Sequence, residues 1–206
     1  MLITENFLTD PYRVRNLALK SDFDMTSGTY PGRRCHIPES IRKEVISRTE
    51  SILHEKVTLN SAYFQWIDKS WGEGICHPDL RVIHGTVEGV DLKYTSITFL
   101  NLEAPFHSGV EVYDERYYKD AYAGKMMDEF TVSTTVPFYT SNRNFISRKI
   151  FQRKVRKYNS YFKDPFVIPN KFNRNVIFTS PLIHRAQNFF GSTVLDSRLI
   201  LVGFFI

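Results

Sequence analysis

A chain of 206 residues, 42% hydrophobic and 15% aromatic with 17 Phe and 11 Tyr, has the material for one packed core. Charged residues at 24% and a net charge of +5 exclude a disordered polyelectrolyte. No apolar run approaches the roughly 20 residues needed to cross a bilayer, so no membrane partner is expected. Two cysteines, Cys35 and Cys76, are too few for a disulfide framework or a cysteine-built zinc site. The N-terminal stretch carries Glu5 and Asp10 and lacks a basic region followed by an apolar one, so a cytoplasmic location is the expectation.

Asp10 followed by Pro11 is a helix start, with the carboxylate as N-cap and proline at the first helical position. Val14, Leu17 and Ala18 continue it at helical spacing. A loop is expected through Ser27-Gly28 and Pro31-Gly32-Arg33-Arg34. Residues 39–56 then place Ile41, Val45, Ile46, Ile52 and Leu53 on one stripe, which predicts a second amphipathic helix.

From residue 61 the period shortens. Residues 61–67, 93–102, 109–114, 175–180, 182–187 and 197–206 are rich in branched and aromatic side chains and predict strands. Helices first and strands after imply an α+β, mainly β fold, a sandwich or barrel buttressed by N-terminal helices at about 8–56. All of 1–206 is read as one domain. An irregular basic insertion covers about 115–170; from Phe130 to Lys163 there is no acidic residue. Phe151, Val155, Tyr158 and Phe162 fall at helical spacing there, so 148–162 predicts a basic helix, and 143–163 a face for an anionic partner.

The residues that carry chemistry are His77-Pro78-Asp79, His184 and Arg198. On an extended segment, side chains two positions apart point the same way, so His77 and Asp79 can reach one ion. His184, in the strand 182–187, is the natural third ligand. Two imidazoles and one carboxylate on one face suit Fe(II) with open coordination positions. His84 and His107 lack a carboxylate two residues on and rank below His77.

With these surroundings the chain resembles the 2-oxoglutarate/Fe(II)-dependent dioxygenases, in particular their prolyl-hydroxylase-like branch. His77-Pro78-Asp79 is similar to the family's His-x-Asp. The run from Thr95 to Asn101 is similar to its strand ending Tyr-Leu-Asn, with Phe99 where the tyrosine stands. Residues 108–113 are similar to a glycine-led strand, and 175–178 to the strand before the distal histidine. The resemblance implies a double-stranded β-helix (jelly-roll) core, Fe(II) and 2-oxoglutarate as cofactors, and hydroxylation of a C–H bond with release of succinate and CO₂. It implies His77, Asp79 and His184 as metal ligands. Arg198, 14 positions on from His184, would bind the far carboxylate of 2-oxoglutarate. With Phe99 lacking a hydroxyl, Tyr94, Thr98, Tyr63 or Ser180 is expected to supply a second anchor. His84, Asn101 and Trp66 are candidates to line a substrate site for a small molecule or a peptidyl side chain. Arg185 should point outward into solvent. The alternative is a catalytically silent jelly-roll serving as a binding or structural module; the completeness of the metal set with Arg198 disfavours it.

Overall fold

The computed structural model of the chain describes residues 1–25, 32–70, 91–114, 153, 156, 157, 159–180 and 182–206. After a short strand β1 (Leu2–Thr4) comes helix α1 (Pro11–Leu19), with Asp10 Oδ1 accepting from Arg13 N at 3.0 Å. Strand β2 (Arg33–His36) precedes helix α2 (Glu39–Leu53), which stops where His54 turns left-handed at φ 56. The strands β3 (Leu59–Ile67), β4 (Tyr94–Phe99), β5 (Val110–Val112), β6 (Phe166–Ile168), β7 (Asn175–Thr179), β8 (His184–Ala186) and β9 (Arg198–Phe205) follow.

Nine strands form two antiparallel sheets among the described residues. The larger runs β1-β7-β4-β9-β3-β2 and the smaller β6-β5-β8. The inner face of the larger sheet packs on the smaller through Ile97, Phe99, Val176, Phe178, Ile200 and Val202, which share a core with Val110, Val112 and Ile168. Its outer face carries Ala62, Phe64, Leu199 and Leu201 against Val14 and Ala18 of α1 and Ile41 and Val45 of α2. With both faces covered, the centre of β9 reads as one apolar run, Leu199-Ile200-Leu201-Val202, buried throughout. Alternation along that run decides which side chain meets which layer.

Three strands were not foreseen. β2 lies in the expected loop, β6 in the expected irregular stretch, and β1 before the first helix. Each is short and, among the described residues, sits at the end of its sheet's strand order: β2 beside β3, with Met25 bridging Arg34 on its far side, β6 beside β5 and β1 beside β7. Most of the expected helix 148–162 lies outside the described residues. Arg153, Arg156, Lys157 and Asn159 within it are helical, with Ser160 N bonded to Arg156 O at 3.0 Å.

Glycine is required beside the smaller sheet. A Cβ on Gly109 would run into the carbonyl oxygen of Ile168, so the closure of β5 on β6 depends on the missing side chain.

Candidate active site

His184 opens β8 opposite Val112 of β5. Directly paired residues share a face, so the imidazole points with Val112 into the space between the sheets. There it is 9% exposed and lies 4.7 Å from the ring of Phe178 on the opposing sheet. Its Nδ1 is 2.8 Å from Leu182 O. A carbonyl only accepts, so Nδ1 donates here; in the neutral ring that leaves Nε2 as the nitrogen able to bind a metal. The neighbouring Arg185 pairs with Glu111 on the other face. It is not the solvated residue expected: its guanidinium and Tyr113 Oη both donate to Glu111, and Arg185 is only 19% exposed.

Arg198 begins β9 and shares the inner face with Ile200, as alternation requires. It is 1% exposed, with its guanidinium 5.5 Å from the Phe99 ring. Nη1 donates to the carbonyls of Ser108 and, at 3.1 Å, Gly109, just ahead of β5. The side chain thus crosses from the larger sheet to the smaller. Burial of a guanidinium is tolerable only where acceptors meet it, and two carbonyls do so here.

The register places the two residues along the cleft. Phe178 pairs with Thr95, and Thr95 with Phe204, so His184 stands at the Phe204 end of β9. Arg198 starts six positions away on β9, but its side chain reaches across to the Ser108 and Gly109 carbonyls. On the smaller sheet Gly109 is three positions from Val112, about 10 Å. His184 and the guanidinium of Arg198 therefore both enter the apolar space between the sheets, three positions apart along the smaller one. Inner-face residues between them include Ile200, Val202 and Phe99.

Several expected site residues lie elsewhere. Tyr94 packs with the helix-side core, and its phenol pKa is raised by a hydrogen bond with Glu55. Thr98 accepts from Asn175 Nδ2 at 2.8 Å on that same outer face, beside Ser96 at 2.7 Å. Both are therefore corrected: the sheet stands between them and the cleft. Trp66 is corrected likewise, since it packs on the helix-side core at 5.9 Å from Phe23. Asn101 is committed to structure: its Nδ2 donates to Ser197 O at 2.6 Å and its Oδ1 accepts from Leu199 N at 3.0 Å. His107 is exposed against Phe106.

Tyr63 does face the cleft, on the Ile200–Val202 side of the core. Thr95, which sequence reasoning passed over, faces it too, its hydroxyl 3.3 Å from that of Ser180 with both residues buried. The strict alternation with Ile97 and Phe99 was the signal that would have found Thr95. His77, Asp79 and His84 lie outside the described residues. Among the described residues, no three His, Cys, Asp or Glu side chains gather into a metal-holding group, and no helix is long and apolar enough to cross a membrane.

No family model and no curated protein matches the sequence. Solved structures do match in fold. HygX from Streptomyces hygroscopicus with iron bound superposes with a TM-score of 0.57 at 11% identity, over 99% of this chain and 81% of that one. A prolyl hydroxylase from Trichoplax adhaerens, in complex with a hypoxia inducible factor peptide fragment, gives 0.54 at 12%, over 99% and 82%. HygX has also been crystallised with nickel and 2-oxoglutarate, and with these and hygromycin B. The mostly-β architecture, two antiparallel sheets with two helices among the described residues, is thus a fold shared with HygX and this prolyl hydroxylase. At identities this low the likeness is one of fold.

Proposed function

We propose that the protein is an Fe(II)- and 2-oxoglutarate-dependent dioxygenase that hydroxylates a C–H bond, and that residues 1–206 form one double-stranded β-helix domain. The observation that carries this reading is His184: buried on the inner face, with Nδ1 committed to Leu182 O, in a fold of this class. His77 and Asp79 would complete the ligand set. The donors suit the metal, since two imidazoles and one carboxylate are a set that would hold Fe(II).

Fe(II) and 2-oxoglutarate, when bound, supply the oxidative chemistry: O₂ is consumed, the keto acid becomes succinate and CO₂, and a substrate C–H becomes C–OH. The chain's own residues do the rest. His184 would hold the ion through Nε2, its ring fixed by Leu182 O and by Phe178. Arg198 would receive the far carboxylate. A guanidinium carries five donors, so carbonyl bonds from Nη1 and a carboxylate are compatible on one group. Phe99, Ile200, Val112 and Phe178 keep the space between apolar, which strengthens that charge pair by excluding water.

The test is spectroscopic. Adding Fe(II) and 2-oxoglutarate without O₂ should produce a weak visible metal-to-ligand charge-transfer band, absent from His77→Ala, Asp79→Ala and His184→Ala. A band that survives in His184→Ala contradicts the ligand assignment; a wild-type protein without any band favours a silent binding module.

A further inference from the structure

The β2 side of the larger sheet carries a second polar group that the reaction itself does not use. Arg34 of β2 pairs with Gln65 of β3, and His36 with Tyr63, so all four share the inner face. Arg34 Nε donates to Gln65 Oε1 at 3.0 Å, and Gln65 is only 4% exposed. The same guanidinium lies 5.3 Å from the Tyr63 ring and 5.7 Å from the Phe204 ring. The exposed His36 sits 5.0 Å from Tyr63.

By register Arg34 and Gln65 stand level with Ile200, and the guanidinium reaches along the inner face to Phe204, the residue level with His184. Phe204 is joined through Thr95 to Phe178, against which the imidazole packs. Phe204 and Phe178 are two strands apart, about 10 Å at the usual spacing. Phe178, Thr95 and Phe204 therefore form a row across the inner face, from the candidate metal ligand to a partly exposed arginine. Its orientation is set in advance: Gln65 fixes the plane, and two rings restrict the rotamers. A partly desolvated guanidinium on aromatic faces attracts an anion more strongly than one in bulk water, and its fork matches carboxylate or phosphate oxygens.

We propose that Arg34 recognises an anionic group of the substrate, a carboxylate or a phosphate, at the mouth of the cleft. The proposal deepens the oxygenase reading and rests on it for the word substrate, but anion binding at Arg34 can be measured without turnover. The probes are inorganic phosphate and acetate, titrated into nitrogen-15-labelled, iron-free full-length protein, with chloride at matched ionic strength as reference. The readout is the arginine Nε–Hε resonances.

One such resonance should shift saturably and be missing from the spectrum of Arg34→Gln. Arg34→Lys, which keeps the charge and loses the fork, should bind on the order of tenfold more weakly, read from the shifts of the β2 and β3 backbone amides. Phe204→Leu, which removes one stacking face, should also weaken binding while leaving Arg34 in place. The probe that saturates at lower concentration identifies the group. His184→Ala should bind the anion as the wild type does. Anion shifts that chloride reproduces, or that persist at full size in Phe204→Leu and Arg34→Lys, overturn the proposal. A charge-transfer band without any anion-induced shift sinks this inference alone; a shift at Arg34 in a protein that never forms the band sinks only the oxygenase reading.

Discussion

At the scale of single residues, two side chains bear most of the account. His184 and Arg198 approach one cleft from opposite sheets, and both placements were legible from alternation. His184 precedes an outward Arg185, and Arg198 shares parity with Ile200. Arg198 also joins the sheets, so its removal should do two things. Arg198→Met should weaken 2-oxoglutarate binding far more than Fe(II) binding. It should also cost about 1–3 kcal/mol of stability, because the carbonyls of Ser108 and Gly109 lose their donor in a buried setting. Denaturant titration beside cofactor titration separates the two effects; equal loss of iron and 2-oxoglutarate affinity at unchanged stability would contradict them. The hydroxyls were harder to place. β4 is buried on both faces, so Thr98 looked interior, yet Ile97 and Phe99 already occupy the inner face and force Thr98 outward to Asn175. Asn175 ties Ser96 and Thr98 together inside the helix-side layer. Asn175→Ala should therefore destabilise by about 1–3 kcal/mol while leaving the charge-transfer band in place.

At the scale of elements, six strands were legible, the three-residue β5 and β8 among them, while the short β1, β2 and β6 at the sheet ends were not. Nine residues of β3 and eight of β9 carry enough pattern to be read alone, whereas three or four residues in β1, β2 and β6 depend on a partner strand. That is why the arginine of β2 went unnoticed as a cleft residue: its segment reads as a Pro-Gly loop until β3 pairs with it. Gly109→Ala tests the closing of the smaller sheet. A methyl group there meets the Ile168 backbone, so β6 must separate from β5 and thermal stability should fall markedly. The connection from β8 to β9 makes a further prediction. Asp196 accepts from Ser192 N at 3.1 Å and from Thr193 N and Oγ1, both at 2.7 Å, and these bonds, the Thr193 hydroxyl first, hold its carboxyl below the usual range. A carboxyl depressed in the folded state contributes stability above its unfolded pKa of about 3.9 and loses it as pH falls through the lower folded value. Melting temperature followed through this acid range should drop less steeply in Asp196→Asn than in the wild type. Parallel curves would show that the turn contributes nothing through this carboxylate.

At the scale of the whole molecule, a helix layer, a six-stranded sheet and a three-stranded sheet make two cores among the described residues, and the candidate chemistry belongs to the second. The helices stabilise without reaching the cleft, which explains why the residues assigned to it from the outer face, Tyr94, Thr98 and Trp66, pack on the helix side instead. Beyond the sheets, Phe162 is buried against Tyr113 with rings 5.5 Å apart, while Arg153, Arg156 and Lys157 are exposed. A basic stretch anchored this way at its aromatic end should bind polyanions with steep salt dependence. Heparin affinity that does not fall between low and high salt would remove that expectation.

The most direct measurement of the central claim is a crystal structure of the protein grown without O₂ in the presence of Fe(II) and 2-oxoglutarate, with anomalous data at the iron edge. The account predicts an iron peak about 2.1 Å from His184 Nε2, a distance typical of metal–imidazole bonds. It further predicts His77 and Asp79 on the same ion, and the far carboxylate of the keto acid against Arg198. An ordered cleft with no iron at His184, or with 2-oxoglutarate bound away from Arg198, would contradict it.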